Sequence, residues 1–202
     1  MQPDPSRLHA DMAGQPRGFP DVLAQGAVMI RAFEPEVVPR LLQTEDYARA
    51  VVASRSPTGF PEDAADAATP WLARQDLLWR TGSPAYQVVL DEAVPRRQRG
   101  SSKVMYHQIG HLIDMARRPD VTIQILPFTA PWRPILYGSF SIVWFPDPVV
   151  PDMVYAETLG GTRCLSKPDE TARYSRTLAR LLPQAASPLE SMAILRDIQK
   201  EA

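Results

Sequence analysis

Two histidines four residues apart, His107 and His111, are the first pair whose spacing could do chemistry. On a helix, imidazoles at i and i+4 share a face and can hold one metal. A zinc hydrolase helix also needs glutamate directly after the first histidine, as general base, and Gln108 stands there instead. At ~100° per residue both histidines fall away from the apolar stripe of Met105, Ile109 and Leu112, toward solvent or a partner surface. No further ligand cluster accompanies them, so no metal is expected. The single cysteine, Cys164, would be a nucleophile only with a base beside it. Nothing places either histidine there, and the expectation is a small buried apolar residue. One cysteine also excludes an internal disulfide and a multi-cysteine metal site.

Two carboxylates are more informative. In Tyr86-Gln87-Val88-Val89-Leu90-Asp91-Glu92, alternation puts Glu92 on a face with Tyr86, Val88 and Leu90. In Met153-Val154-Tyr155-Ala156-Glu157 it puts Glu157 with Met153 and Tyr155. A carboxylate on an apolar face needs a partner or becomes costly to ionise, and Arg74 is the candidate. The functional expectation is a pocket between the sheet and the helix carrying Arg74, lined by Arg74, Gln75, Glu92, Gln108, Tyr155 and Glu157, binding a polar or cationic ligand. The competing reading is a structural ion pair at the edge of the core. Trp132 lies in the proline-stiffened loop Pro131-Trp132-Arg133-Pro134, where an aromatic can cover a binding site. There is no glycine-rich phosphate loop, serine nucleophile elbow or dinucleotide fingerprint, so no cofactor is expected.

These residues need elements to hold them. Ala27 to Phe33 reads as a strand. Thr44 caps a helix running to about Ala53, with Glu45 and Asp46 in its first turn. Trp71, Leu72, Gln75, Leu78 and Trp79 predict a helix over about 65–80. Tyr86 to Glu92 is a strand, and Ser101-Ser102 opens a helix to about Arg117. Val121 to Leu126, stopped by Pro127, is the cleanest strand. Tyr137 to Phe145, Met153 to Glu157 and Thr162 to Leu165 add further strands. Two helices close the chain, over about 168–182 and 187–200. The second opens on Ser187-Pro188-Leu189-Glu190, a capping box with proline at the first helical position.

Strands at 121–126, 137–145 and 153–157 have no helix between them and are expected to be antiparallel neighbours. The predicted fold is α+β: a small, mostly antiparallel sheet flanked by helices in one domain over 25–202, after a flexible proline-rich arm at 1–24. The chain has 202 residues, 45% of them hydrophobic and 22% charged, enough for one sizeable core. Its 21 prolines imply short elements joined by stiff loops. A formal net charge of −1 lacks the basic excess of a DNA-binding domain. No apolar run approaches the ~20 residues of a membrane span. The N-terminus is no secretory signal, so the expected compartment is the cytoplasm.

Several stretches together resemble one family. Val38-Pro39-Arg40-Leu41-Leu42-Gln43-Thr44-Glu45-Asp46-Tyr47-Ala48 is similar to a signature reading Pro-Gly-Leu-Leu-Gln-Thr before a helix with Tyr-Ala. Arg74-Gln75, Leu90-Asp91-Glu92-Ala93-Val94, Gln108 with His111-Leu112, Val121 to Phe128, Gly138-Ser139-Phe140, Val154-Tyr155-Ala156-Glu157 and Ser187-Pro188-Leu189-Glu190-Ser191 follow in the family's order. The chain resembles the domain of unknown function 5753 over roughly residues 25–200. In that family the domain commonly follows an Xre-type helix-turn-helix in actinobacterial regulators. The resemblance marks Arg74, Gln75, Glu92, Gln108, Tyr155 and Glu157 as pattern positions. It departs at Arg40, where the pattern has glycine for a tight turn, and too few residues precede the match for a helix-turn-helix module.

The resemblance implies a stand-alone sensor or interaction domain that binds a small molecule or a partner protein, without direct DNA binding or membrane association, and with homodimerisation open. The alternatives are a small cofactor-free enzyme of secondary metabolism, a cyclase or isomerase using the pocket carboxylates, and a plain dimerisation or structural role.

Overall fold

The computed structural model describes residues 26–55, 75, 82–132, 138–147, 149–158 and 161–202. The predicted arm over 1–24 and nearly all of the predicted helix over 65–80, with Trp71, Arg74 and Trp79, lie outside the described residues.

The chain opens with β1 (Met29–Glu34), a 3-10 turn (Arg40–Leu42) and α1 (Glu45–Arg55). Next come β2 (Ala85–Asp91), a one-turn helix α2 (Ala93–Arg96), α3 (Ser102–Met115) and β3 (Val121–Leu126). Then β4 (Phe140–Trp144), β5 (Met153–Thr158) and β6 (Gly161–Leu165) follow in succession, before α4 (Pro168–Leu181) and α5 (Pro188–Glu201). This is a single α+β domain, as the sequence pattern implies. Among the described residues no helix is long and apolar enough to cross a membrane.

The six strands form one sheet in the order β3-β2-β1-β4-β5-β6. β1 pairs in parallel with β2, and β2 with β3, while β1–β4, β4–β5 and β5–β6 are antiparallel. The sheet is therefore mixed, which corrects the expectation of a mostly antiparallel one. It also corrects the expected pairing of the third and fourth strands: β3 lies at one edge, separated from β4 by β2 and β1. The reason is the connection. α2 and α3 carry the chain back along the sheet between β2 and β3, and such a crossover returns a strand parallel to its predecessor. β4 then takes the remaining free side of β1.

Burial follows from this order. β1 and β2 are inner strands covered on both faces, so Ile30, Ala32, Phe33, Val88, Val89 and Leu90 are all sealed from solvent. Near-continuous apolar runs are the mark of strands buried on both sides. On the first face, Ile30, Tyr86, Val88, Leu90, Ile123, Ile125, Val143 and Tyr155 pack with Tyr47 and Val51 of α1, Met105, Ile109 and Leu112 of α3, and Leu195 and Ile198 of α5. On the second face, Phe33, Val89, Leu126, Phe140, Ile142, Val154 and Ala156 meet Leu178 and Leu181 of α4.

The β3 edge is closed by the start of α5. The Ala186 backbone N–H donates to the Ile125 carbonyl at 2.8 Å, and the Ile125 N–H donates to Ser191 Oγ at 2.8 Å. Ser191 Oγ donates in turn to the Ala186 carbonyl at 3.2 Å. The capping box holds this geometry: Glu190 N–H donates to Ser187 Oγ and Ser187 N–H to Glu190 Oε2. Unpaired edges template association, and here a buried serine consumes the backbone groups. Ser191→Ala should orphan the Ile125 N–H and cost about 1–3 kcal/mol in urea unfolding, whereas Leu189→Ala, at a site 78% exposed, should change little.

Candidate functional site

The signature segment is a polar clasp. Pro39 to Leu42 form a 3-10 turn in which Leu42 N–H donates to the Pro39 carbonyl at 2.8 Å. Arg40 therefore does not break the turn, which corrects the doubt raised by its replacing glycine. No non-glycine residue among those described has a positive φ, so this turn never asks for glycine's left-handed conformations. Gln108, fully buried on α3, donates from Nε2 to the Leu42 carbonyl at 2.7 Å. Its Oε1 accepts from Thr44 N–H at 2.7 Å and from the Thr44 hydroxyl at 3.2 Å. Gln75 Nε2 donates to the carbonyls of Arg40 and Gln43 at 2.8 and 2.7 Å. Within the segment Gln43 Nε2 donates to the Val38 carbonyl, and Val38 N–H donates to the Tyr47 hydroxyl. Thr44 caps α1, accepting from Tyr47 N–H at 3.4 Å. Two of the pattern residues, Gln75 and Gln108, thus converge on backbone.

The carboxylates part company. β2 ends at Asp91, and Glu92 adopts helical φ −58° and ψ −24° at the head of α2. Strand alternation therefore stops before Glu92, which corrects its placement on the Tyr86 face. Its Oε1 accepts from Arg96 Nε at 2.8 Å and its Oε2 from the Phe128 N–H at 2.9 Å. Glu157 does follow Met153 and Tyr155 along β5, but it is exposed and accepts from the Thr162 hydroxyl at 2.9 Å. Between β2 and β5 lie β1 and β4, three strand steps or about 14 Å, and Glu92 turns away toward the β3 side. Tyr155 is buried in the first-face core. Trp132 packs against the second-face core under Arg180, whose guanidinium carbon sits 4.3 Å from its ring centre. Tyr155 and Trp132 are thus on opposite faces, and Arg74 lies outside the described residues.

A polar row on the second face was not anticipated. The registers Thr122↔Gln87 and Gln87↔Arg31 set these three side chains at one level across β3, β2 and β1. Their parity is that of Phe33, Val89 and Leu126. Gln87 Nε2 donates to Gln124 Oε1 at 2.9 Å, and Gln124 Nε2 to the Ala186 carbonyl at 3.0 Å. Arg31 lies over Trp144, its guanidinium carbon 5.4 Å from the ring centre. Its Nε is sealed from solvent with no hydrogen-bond partner. The available signal was an arginine between Ile30 and Ala32 in an apolar strand, two residues before Phe33.

His107 is exposed and His111 half-buried. Among the described residues no three histidine, cysteine or acidic side chains are grouped as a metal site. Cys164 is exposed, which corrects the expectation of burial: it lies on β6, an edge strand with no fully buried residue. The buried acids that alternation did not flag are Glu34 and Asp91. Asp91 Oδ1 accepts from the Ala93 N–H at 2.9 Å at the head of α2. Tyr86 has its phenol pushed well above its usual range by burial, with Glu34 adding to it.

Gln108→Leu should cost about 2–4 kcal/mol in chemical unfolding, because it orphans the Thr44 N–H and the Leu42 carbonyl. Gln75→Ala, nearer the surface, should cost less. Burial also lowers the His111 pKa, partly opposed by Asp114, and its Nε2 is buried without a partner. The unfolded chain then binds the proton more tightly, so stability is full above the ordinary histidine pKa and falls as pH drops through it toward the folded value. Between about pH 7 and pH 5, His111→Gln should flatten the stability profile measured by urea unfolding.

Comparison with known proteins places this arrangement. No curated protein and no solved structure matches the chain. The model of one family, described as Domain of unknown function (DUF5753), matches residues 22–197. That span holds the clasp, the polar row and the closed β3 edge, and the chain belongs to this family.

Proposed function

We propose that the chain is a binding domain of a regulatory system: a cytoplasmic sensor that takes a small molecule or a partner protein, akin to the effector half of actinobacterial regulators. The observation that carries this reading is the polar row of Arg31, Gln87 and Thr122. It sets a cation beside two further polar side chains on a largely apolar sheet face, with Arg31 Nε buried and without a hydrogen-bond partner among the described residues. The carboxylates that a cyclase or isomerase would use for acid–base work are engaged elsewhere. Glu92 anchors the loop after β3 through Phe128, and Glu157 holds the β5–β6 pair through Thr162.

The test is capture. The chain is mixed with a metabolite extract of an actinobacterial culture and separated by size, and retained molecules are identified by mass spectrometry. At least one should be retained unchanged and should raise the melting temperature with saturation, a ligand at 100 times its Kd adding about 2.7 kcal/mol. Conversion of the retained molecule, abolished by Glu92→Gln or Glu157→Gln, would establish the enzyme reading instead. A net charge of −1 leads us to expect no sequence-selective shift of duplex DNA at physiological salt.

A further inference from the structure

Arg31 sits on β1, an inner strand of the sheet, and its same-face neighbours Phe33 and Ile142 are sealed from solvent. Arg31 itself is only partly buried, but its Nε is cut off from water, a loss that a counter-charge or a hydrogen bond would repay. Among the described residues neither is present: no carboxylate forms an ion pair with Arg31, and Nε donates to nothing. The contact Arg31 does make is with the face of Trp144, which orients the planar fork without using its N–H groups.

We propose that Arg31, with Gln87 and Thr122 beside it and Trp144 against it, recognises an oxyanion, a carboxylate or phosphate, carried on a flat apolar body. This rests on the reading of the chain as a binding domain and names the ligand's chemical class. The fork of Arg31 offers the paired donors that a carboxylate or phosphate takes bidentately. Gln87 spends one amide N–H on Gln124 and stands level with Arg31 on the neighbouring strand. The Thr122 hydroxyl extends the row, so the three side chains cover about 10 Å along the hydrogen-bonding direction of the sheet. Trp144 and the apolar residues around it supply a surface for the ligand's body. A bound anion would supply the counter-charge that Arg31 lacks among the described residues.

The Nε–H resonance of Arg31 in nitrogen-15-labelled protein, assigned by its loss in Arg31→Met, reports directly on the site. Benzoate and phenyl phosphate are the probes, and benzamide is the neutral control. Benzoate, phenyl phosphate or both should shift this resonance saturably at concentrations up to about 10 mM, and benzamide should not; which anion does so separates a carboxylate ligand from a phosphate one. Arg31→Met should abolish binding while holding or raising the melting temperature, because an uncompensated charge is replaced by an apolar side chain. Arg31→Lys, which keeps the charge and loses the fork, should weaken binding at least about tenfold. The proposal is overturned by no saturable shift with either anion, by an equal shift with benzamide, or by anion binding that survives Arg31→Met. It is also overturned if Arg31→Met destabilises the free domain, since Arg31 would then be a structural cation. Anion binding that survives Arg31→Met removes this site but leaves the binding-domain reading intact. Turnover of a captured metabolite removes that reading whatever Arg31 does.

Discussion

Everything in this domain hangs on the double pairing of β1. Its one side is satisfied by β2 running parallel and its other by β4 running antiparallel. A buried strand must have every backbone donor and acceptor met, and here two differently built halves meet that demand together. On one side are crossovers through helices, on the other a run of adjacent strands. The helical half covers the first face of the sheet, and α4 covers the second. Neither half offers β1 a complete set of partners, so the two halves form one domain and not two.

The clasp on the segment 38–47 is the second consequence. The chain leaving β1 must turn onto the first face before α1 can pack there, and the turn brings backbone polar groups into the core. Side chains meet them one by one: Gln108 from α3, Gln75 from the following segment, Gln43 and Tyr47 from within. A glutamine serves this purpose well, because its amide supplies donor and acceptor at a fixed separation. Gln108 uses both ends, so α3 and the start of α1 are tied to each other through neutral groups, with no buried charge to desolvate.

The two faces of the sheet differ in how their polar groups are treated. On the first face Gln43, Gln108 and Ser191 are absorbed into the clasp and the closed β3 edge. On the second, a row of polar side chains crosses the parallel strands, and its cation is left to an aromatic ring. Departures from local economy of this kind are where function is usually carried. The acidic side chains, by contrast, sit at element ends, where they hold backbone N–H groups or surface hydroxyls.

The elements themselves were legible in the residues. Val121 to Leu126 alternates and stops at Pro127, Thr44 and Ser187 announce helix starts, and the stripe of Met105, Ile109 and Leu112 marks the inward side of α3. These depend on steric and hydrogen-bonding preferences that act over a few residues. Gln108 and Glu92 were visible as positions, but their jobs were not, because each partner lies far along the chain: Leu42 and Thr44 for one, Phe128 for the other. Glu92 shows how little moves the answer, since one helical φ/ψ pair at the end of β2 took it out of the alternating pattern. What the sequence by itself determined is where strands and helices form and which of their sides are apolar, since those follow from short-range periodicity. Only the tertiary structure decided which strands are neighbours, in which direction they run, and that Arg31, Gln87 and Thr122 stand in one row, because register is a contact between segments separated by whole helices and carries no local signal.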